Sequence, residues 1–151
     1  MHVHLVGVCG TGMGSLAMLF RAQGHDVSGS DAAFDPPMGP ALEAAGIRCL
    51  VGYRAENVEP APDLVIVGNA IRKDNVEAAA VRERGLRATS MSGALREVFL
   101  PGRRPLVCAG THGKTTTSTM CAWLLSQVDL DPGYFLGGLP KDLPSGAAIG
   151  G

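Results

Sequence analysis

The sequence predicts an α/β protein with a parallel β-sheet, followed by the start of a second α/β unit. Three observations lead to this prediction. Short apolar runs alternate with segments of helical periodicity, which is the pattern of strands joined by crossover helices. A strand, a glycine turn and a helix occur twice, about a hundred residues apart. The 21 glycines and 10 prolines fall at turns instead of in a low-complexity tract, which predicts many tight loops.

The composition excludes several classes of protein. With 46% hydrophobic and 18% charged residues, the chain can bury a core and is not expected to be disordered. Its 13 basic and 14 acidic residues leave a net charge of -1, which favours neither a nucleic acid nor an anionic membrane as a partner. No stretch approaches the ~20 apolar residues of a membrane span. The cysteines form no C-x-x-C pair, which favours a reducing, cytoplasmic setting: Cys9, Cys49, Cys108 and Cys121.

The first part of the chain alternates predicted strands with predicted helices. Met13, Leu16 and Phe20 recur at helical spacing, and Gly24 and Gly46 follow the first two helices as glycines at helix ends commonly do. Strands separated by helices of this length predict a parallel sheet with right-handed crossovers. In chain order we predict a strand at 3–8, a helix up to 24, a strand at 26–31, a helix at 38–45, strands at 47–51 and 63–67, a helix at 75–84, a strand at 87–89 and a helix at 93–99.

Two local patterns receive structural interpretations. Asn75 resembles a helix N-cap, with Glu77 in the first turn of the helix that follows. His2 and His4 alternate on one face of the first strand, where they could be imagined as metal ligands. Because no third ligand is near in the sequence, we predict that they are ordinary, satisfied imidazoles.

Residues 100–105 form the predicted domain boundary, since two prolines, a glycine and two arginines interrupt the apolar pattern there. The division is then 1–103 and 104–151. In the second unit we predict a buried strand at 106–109, a turn at 110–114 and a helix at 115–127. One and a half βα units are too few to bury a doubly covered sheet, so we expect the second domain to be truncated.

The turn of the second unit carries the strongest chemical signal. A glycine turn between a strand and a helix points backbone N–H groups at an anion, and a lysine and a hydroxyl complete a triphosphate and Mg²⁺ site. Lys114 would neutralise the β- and γ-phosphates, and Thr115 would give its hydroxyl to Mg²⁺. The general pattern needs a glycine where Cys108 stands, so this loop is shorter. The alternative is a strand-to-helix turn that binds nothing. The loop reads Gly110, Thr111, His112, Gly113, Lys114, Thr115 and Thr116.

The first glycine turn spans residues 7–14 and opens the first helix, the place of a dinucleotide or nucleotide-diphosphate fingerprint in a Rossmann-like domain. Cys9 stands where G-x-G-x-x-G has its middle glycine. Asp31 ends the second strand, at the distance of an acidic residue that bonds a ribose hydroxyl. Asn69 follows the strand at 63–67 and would project at the carboxyl end of the sheet, or close an Asx turn there. A dehydrogenase, a nucleotide-sugar binder and a purely structural turn all remain open.

The two loops together resemble those of the Mur ligase family, the ATP-dependent amide-forming enzymes of peptidoglycan synthesis. That family has the shortened loop G-T-x-G-K-T-[ST], so Cys108 is expected there. The resemblance covers essentially the whole chain. Five segments look most like the member that joins the tripeptide L-alanyl-γ-D-glutamyl-meso-diaminopimelate to UDP-N-acetylmuramate. They are residues 7–14, Gly29-Ser30-Asp31, Pro36-Pro37-Met38, Gly68-Asn69-Ala70 and residues 132–138.

The resemblance implies a Rossmann-like UDP-sugar domain and the start of an ATP-binding domain, with ATP and Mg²⁺ as cofactors and two small-molecule substrates. Phosphorylation of the lactyl carboxylate and attack by the tripeptide amine would make the amide. Lys114 would be the catalytic residue and Thr115 the Mg²⁺ ligand. ATP would contact Gly110, Thr111, His112, Gly113, Lys114, Thr115 and Thr116. The UDP-sugar would contact Gly7, Cys9, Gly10, Thr11, Gly12, Met13, Asp31 and Asn69.

The family also has further Mg²⁺ ligands, a modified lysine and a third domain, none of which matches a segment here. We therefore expect this chain alone to be inactive, and its oligomeric state is not predicted. Three alternatives stay open. They are the L-alanine-adding member of the family, a nicotinamide-binding Rossmann module and a catalytically idle binding domain.

Overall fold

Five parallel strands form the central sheet. A computed structural model describes residues 1–138 and 140–151. The strand order is β3-β2-β1-β4-β5. The chain thus adds β2 and β3 on one side of β1 and then β4 and β5 on the other side, so the strand order reverses between β1 and β4. The predicted α/β class and the five strands predicted before residue 100 are confirmed, with β2 at the predicted residues. The strands are β1 (His2–Val6), β2 (Asp26–Asp31), β3 (Arg48–Val51), β4 (Leu64–Val67) and β5 (Ala88–Ser90).

Helices cover both faces of this sheet. One face packs on α1 and α2. Phe99 belongs to the π-helical turn Leu95–Phe99, and its ring lies edge-on to Phe20 of α1 with ring centroids 4.9 Å apart. The other face packs on α3 through Val6, Val65 and Val81. Side chains alternate between the two faces along each strand, so a strand covered on both faces, such as β4, is apolar at every position. The helices are α1 (Thr11–Ala22), α2 (Met38–Ala44), α3 (Val76–Glu83) and α4 (Met91–Ala94).

One local prediction in this part is confirmed, and one glycine inside a strand has a packing reason that the sequence did not indicate. The Asn75 side chain caps α3, accepting hydrogen bonds from the backbone N–H groups of Glu77 at 3.0 Å and Ala78 at 3.1 Å. Gly29 in the middle of β2 has a packing reason, because a Cβ there would lie 2.6 Å from the Cβ of Val8. The first glycine loop thus sits directly against the second strand.

The second unit differs from the prediction. Residues 106–109 do not form the predicted buried strand, and Leu106 and Val107 are 72% and 81% exposed. A parallel strand is stable only when neighbouring strands satisfy its backbone, and the described residues place no strand beside this segment. The predicted helix is present as α5 (Lys114–Ser126), but its apolar side is open to solvent, with Met120 57% exposed.

A small hairpin brings the end of the chain back to α1. Its strands are β6 (Tyr134–Phe135) and β7 (Ala147–Ala148), paired antiparallel. Leu136 is buried, and Phe135 packs against the core cluster that includes α1. A Cβ on Gly146 would lie 2.7 Å from the Ser15 hydroxyl, so close contact with α1 needs a glycine there. In the ranges that the structure describes, no helix is long and apolar enough to cross a bilayer.

Candidate functional site

The first glycine loop leaves β1 at the carboxyl edge of the sheet, beside the point where the strand order reverses. Open α/β sheets bind ligands in the crevice at such a point. Gly7 has a φ of 82°, which favours glycine. The N–H groups of Gly7 and Val8 both donate to the carbonyl oxygen of Ser30, at 2.8 and 3.1 Å. The loop is therefore held to the end of β2 by its backbone.

The N-terminus of α1 follows this loop and faces the same edge. Gly10 is its N-cap, and the first helical hydrogen bond runs from the Gly14 N–H to the Gly10 carbonyl at 2.7 Å. Among the described residues no side chain caps this terminus. The N–H groups of Thr11, Gly12 and Met13 precede the first helical bond, and with the helix dipole they favour an anion. The residues predicted to contact a diphosphate are thus brought together.

Gly12 lies close to side chains from two distant segments of the chain. A Cβ at this position would lie 2.9 Å from the Met91 sulfur and 4.0 Å from Cζ of Phe135. Met91 begins α4, directly after β5, and Phe135 comes from the hairpin. Neither residue was predicted, because each reaches the loop only through the packing of a distant segment.

Asp31 has its partners within the chain. One carboxylate oxygen, Oδ2, accepts the N–H of Cys9 at 2.8 Å. The other, Oδ1, accepts the N–H of Ala32 at 2.8 Å and the hydroxyl of Tyr53 at 3.0 Å. Sequence reasoning missed Tyr53. The carboxylate therefore fastens the glycine loop to β2, and a ribose contact by Asp31 stays a prediction.

Burial and Asp31 together set the protonation of two neighbouring groups. Burial, reinforced by the negative charge of Asp31, raises the pKa of the Cys9 thiol to about 11. Burial and the hydrogen bond to Asp31 raise the pKa of Tyr53 to about 12. At neutral pH Cys9 is a neutral thiol and Tyr53 keeps the proton that it donates. Cys9 acts here through its backbone N–H and not as a nucleophile.

Asn69 lies at the same edge, one strand away. The N–H of Gly68 donates to the Val6 carbonyl at 3.0 Å, and a Cβ on Gly68 would lie 3.1 Å from that oxygen. The small residue lets the end of β4 lie against the end of β1. Asn69 itself is exposed, next to the first loop. Its predicted position at the carboxyl edge is confirmed, and a ligand contact by its side chain stays a prediction.

The second glycine loop is exposed along its whole length. Gly113 has a φ of 77° and begins α5, whose first helical bond runs from the Thr117 N–H to the Gly113 carbonyl at 2.9 Å. The Lys114 ammonium folds back on the loop and donates to the carbonyls of Gly110 at 2.7 Å and Thr111 at 3.4 Å. These two carbonyl groups hold the Lys114 ammonium over the glycine turn, close to the N–H groups of the first turn of α5.

The N–H groups at the start of α5 and the Lys114 ammonium are donors of the kind that bind a phosphate. The N–H groups of Lys114, Thr115 and Thr116 precede the first helical bond, and no described side chain caps them. A cavity of about 390 Å³ adjoins this turn, lined in part by Thr115, Lys141 and Asp142. His112 is exposed in the loop. Within residues 1–138 and 140–151 no group of three or more His, Cys, Asp or Glu side chains could hold a metal ion, and Thr115 as a Mg²⁺ ligand stays a prediction.

The hairpin borders both glycine loops. Phe135 faces Gly12 of the first loop, as described above. A Cβ on Gly137 would lie 3.6 Å from the Thr115 hydroxyl, and one on Gly138 would lie 4.0 Å from the Thr115 methyl group. Three residues of chain thus lead from one loop to the other. A glycine pair after an aromatic residue is the sequence signal that could have indicated this approach.

The two histidines of β1 are structural, as predicted. His2 and His4 share the face of β1 that α3 covers, and a nitrogen of each ring lies near the hydroxyl of Ser28, at 2.9 and 2.8 Å. The other His4 nitrogen lies 2.6 Å from Oε1 of Glu77. His4 is fully buried and both its ring nitrogens have partners.

Comparison with known proteins agrees with this geometry. The profile of the Mur ligase family, catalytic domain, matches residues 2–101. The chain is 46% identical over 150 residues to the UDP-N-acetylmuramate:L-alanyl-γ-D-glutamyl-meso-2,6-diaminoheptandioate ligase of Escherichia coli K12, covering 99% of this chain and 33% of that protein. It is 44% identical over 138 residues to the UDP-N-acetylmuramate:L-alanine ligase of Kineococcus radiotolerans, covering 90% of this chain and 29% of that protein.

A solved structure shows the same likeness. The murein peptide ligase of Psychrobacter arcticus 273-4 is 44% identical and superposes with a TM-score of 0.93, over 100% of this chain and 34% of that one. The chain spans about a third of the length of the relatives it matches. The predicted resemblance is confirmed, and within it the likeness to the tripeptide ligases. On the match over residues 2–101, the chain belongs to the Mur ligase family.

Proposed function

We propose that the whole protein is an ATP-dependent amide ligase that joins a murein tripeptide to UDP-N-acetylmuramate. This chain contributes the UDP-sugar site and the phosphate loop for ATP. The observation that carries the proposal is the likeness to tripeptide ligases over 99% and 100% of the chain. The two uncapped helix N-termini, each after a glycine turn, support it, because a dehydrogenase needs no second phosphate site.

In this proposal the UDP diphosphate lies at the N-terminus of α1. The free N–H groups there donate to its oxygens, and the helix dipole favours its charge. Asp31 holds the loop through Cys9, while Asn69 lies beside the nucleotide. Gly7 gives the loop its turn. The proposed contact residues are Gly7, Cys9, Gly10, Thr11, Gly12, Met13, Asp31 and Asn69.

The second loop would receive the phosphates of ATP. Lys114 would move its ammonium from the carbonyls of its own loop to the β- and γ-phosphates, and the Thr115 hydroxyl would hold Mg²⁺. Bound Mg²⁺ offsets the charge that develops on the phosphoryl oxygens. Gly110, Thr111, His112, Gly113 and Thr116 complete the loop.

The chemistry follows from the weakness of a carboxylate as an electrophile. The lactyl carboxylate oxygen bonds to the γ-phosphorus, the bond to the leaving ADP breaks, and an acyl phosphate results. The tripeptide amine then bonds to the acyl carbon, the carbon–oxygen bond to phosphate breaks, and the nitrogen loses a proton. Lys114 would stabilise the transferring phosphoryl group. Residues outside this chain would bind the peptide.

Calorimetric titration of this chain tests the first site. We expect saturable binding of UDP-N-acetylmuramate and no binding of NAD⁺ or NADP⁺. Gly12→Asp should weaken the affinity by about 100-fold, because it places a carboxylate against the diphosphate. Gly12→Ala is the matched control, since the flexible Met91 side chain can yield to a methyl group and no charge is added. Binding of a nicotinamide cofactor would instead support a dehydrogenase.

The choice of amino-acid substrate needs the full-length protein. The L-alanine ligases are also close relatives, with 44% identity in the Kineococcus protein. We expect the tripeptide, and not L-alanine, to support release of ADP in the presence of UDP-N-acetylmuramate. Release of ADP with L-alanine and not with the tripeptide would instead favour an L-alanine ligase. The chain of 151 residues should release no ADP with either.

A further inference from the structure

A buried carboxylate lies beneath α3, away from both glycine loops. Glu77 is completely buried, and its Oε1 lies 2.6 Å from both the His4 ring nitrogen Nε2 and the Ser30 hydroxyl. Its Oε2 accepts from the side-chain amide of Asn57 at 2.7 Å and from the N–H of Arg54 at 3.3 Å. A buried carboxylate is costly unless it is paired and hydrogen-bonded, and here every partner is a donor.

The partners keep this carboxylate ionised. Burial alone acts to raise the pKa of Glu77, but the hydrogen bonds from His4, Ser30 and Asn57 outweigh burial and leave the pKa below its ordinary value. Because an ionised carboxylate only accepts, His4 carries its proton on the nitrogen that faces Glu77. The site described above uses neither group.

One route leads from Glu77 to the first glycine loop through Ser30. The Ser30 hydroxyl donates to Oε1 of Glu77. The backbone carbonyl of the same residue accepts the N–H groups of Gly7 and Val8. The Glu77 carboxylate thus holds Ser30, the residue whose carbonyl accepts the first two hydrogen bonds of the loop.

A second route passes through the segment of residues 52–57. The Asn57 amide donates both to Glu77 and, at 2.9 Å, to the Gly52 carbonyl, so it closes this segment against α3. Tyr53 lies inside the segment and donates to Asp31, which in turn accepts the N–H of Cys9. Both routes therefore end on consecutive residues of one loop.

We propose that Glu77 is a positioning residue for the first glycine loop, acting through Ser30 and through Tyr53. The inference rests on the proposed function, in which this loop receives the diphosphate of a nucleotide sugar. Glu77 does not touch that ligand. It orders the loop before binding, so that the N–H groups at the start of α1 already point at the anion.

Two variants separate positioning from a merely structural role. In Glu77→Gln one acceptor oxygen becomes an NH₂ group that faces donors. Tyr53→Phe deletes one hydroxyl and keeps the ring. In both, ligand-free amide exchange at Cys9 should accelerate by about tenfold, and the affinity for UDP-N-acetylmuramate should fall by a similar factor. Glu77→Gln should also accelerate exchange at Gly7 and Val8. Glu83→Gln, an exposed change on the same helix, should alter neither the amide exchange of the loop nor the affinity for UDP-N-acetylmuramate.

The exchange experiment needs no ligand, so the two proposals can fail separately. If the wild-type chain does not bind UDP-N-acetylmuramate, the proposed function fails while the loop measurement still stands. Unchanged exchange at the three loop amides in both variants overturns the inference, whatever happens to binding. Faster exchange spread evenly over the strands β1 and β4 also overturns it, since that is loss of global stability and not of loop order.

Discussion

The two glycine loops share a local pattern, but their surroundings differ. The first follows a completed strand and is anchored to β2 through Ser30 and Asp31. The second follows a segment without a strand partner in the described chain, and its lysine bonds only to carbonyls of its own loop. A glycine loop at a helix N-terminus is therefore held by more than its own residues, because the end of β2 supplies the hydrogen bonds that anchor the first loop.

The helices after the loops repeat this contrast. α1 and α5 have 12 and 13 residues, so their lengths are nearly equal. α1 buries seven residues between the sheet, α2 and the hairpin, whereas α5 buries Ala122. Isolated helices of this length are marginal in water, so tertiary contacts decide their stability.

Amide exchange should give the largest difference between the two regions. We expect the central amides of α1 to exchange about 10³-fold more slowly than those of α5, because α1 opens only when the core opens. Exchange measured residue by residue on the ligand-free chain tests this. Equal protection of the two helices would mean that α5 is covered by something other than the contacts described here.

Lys114→Ala in the full-length protein tests whether the two glycine loops have separate functions. We expect kcat to fall by about 10²- to 10³-fold, because the charge on the transferring phosphoryl group loses its stabilising cation. Affinity for UDP-N-acetylmuramate should be unchanged, since Lys114 belongs to the other loop. Lys73→Ala, which replaces an exposed lysine far from the second loop in the sequence, is the control. A large loss of UDP-sugar affinity in Lys114→Ala would contradict the separation of the two sites.

Truncation after Arg103 tests whether the first region stands alone. Residues 1–103 contain the whole five-stranded sheet, so we propose that they form a domain and expect cooperative unfolding in urea. The loss of the buried Leu136 side chain should lower the unfolding free energy by about 2–3 kcal/mol. Leu136→Ala in the complete chain is the comparison. A non-cooperative transition in the truncated chain would show that the boundary is misplaced.

Acid should have the smallest effect, confined to the first region. The pKa of Glu77 is lower in the folded protein than its ordinary value of 4.5, so between these values the unfolded chain binds the extra proton. The stability that its ionisation contributes is complete above pH 4.5 and is lost as pH falls through the folded pKa. The gap in unfolding free energy between wild type and Glu77→Gln should therefore narrow from pH 7 to pH 3. A gap that widens would contradict the direction of this shift.

Most of the structure of residues 1–103 could be predicted from the sequence. The order of strands and helices, the N-cap at Asn75 and the glycine turn at Gly7 all follow from residues close together in the chain. Such features depend on periodicity, capping and backbone freedom, which act over a few residues. The same holds for the turn around Gly113 and the helix after it.

Only the tertiary structure decided the rest. The predicted strand at 106–109 has the right residues, but a strand exists only where a neighbour satisfies its backbone. Tyr53 meets Asp31 across 22 residues and Glu77 meets His4 across 73, and no local pattern marks these pairs. Local propensity selects the elements and places the two loops. Long-range packing selects which loop is held in place, because anchoring depends on side chains that come together only when the sheet has formed.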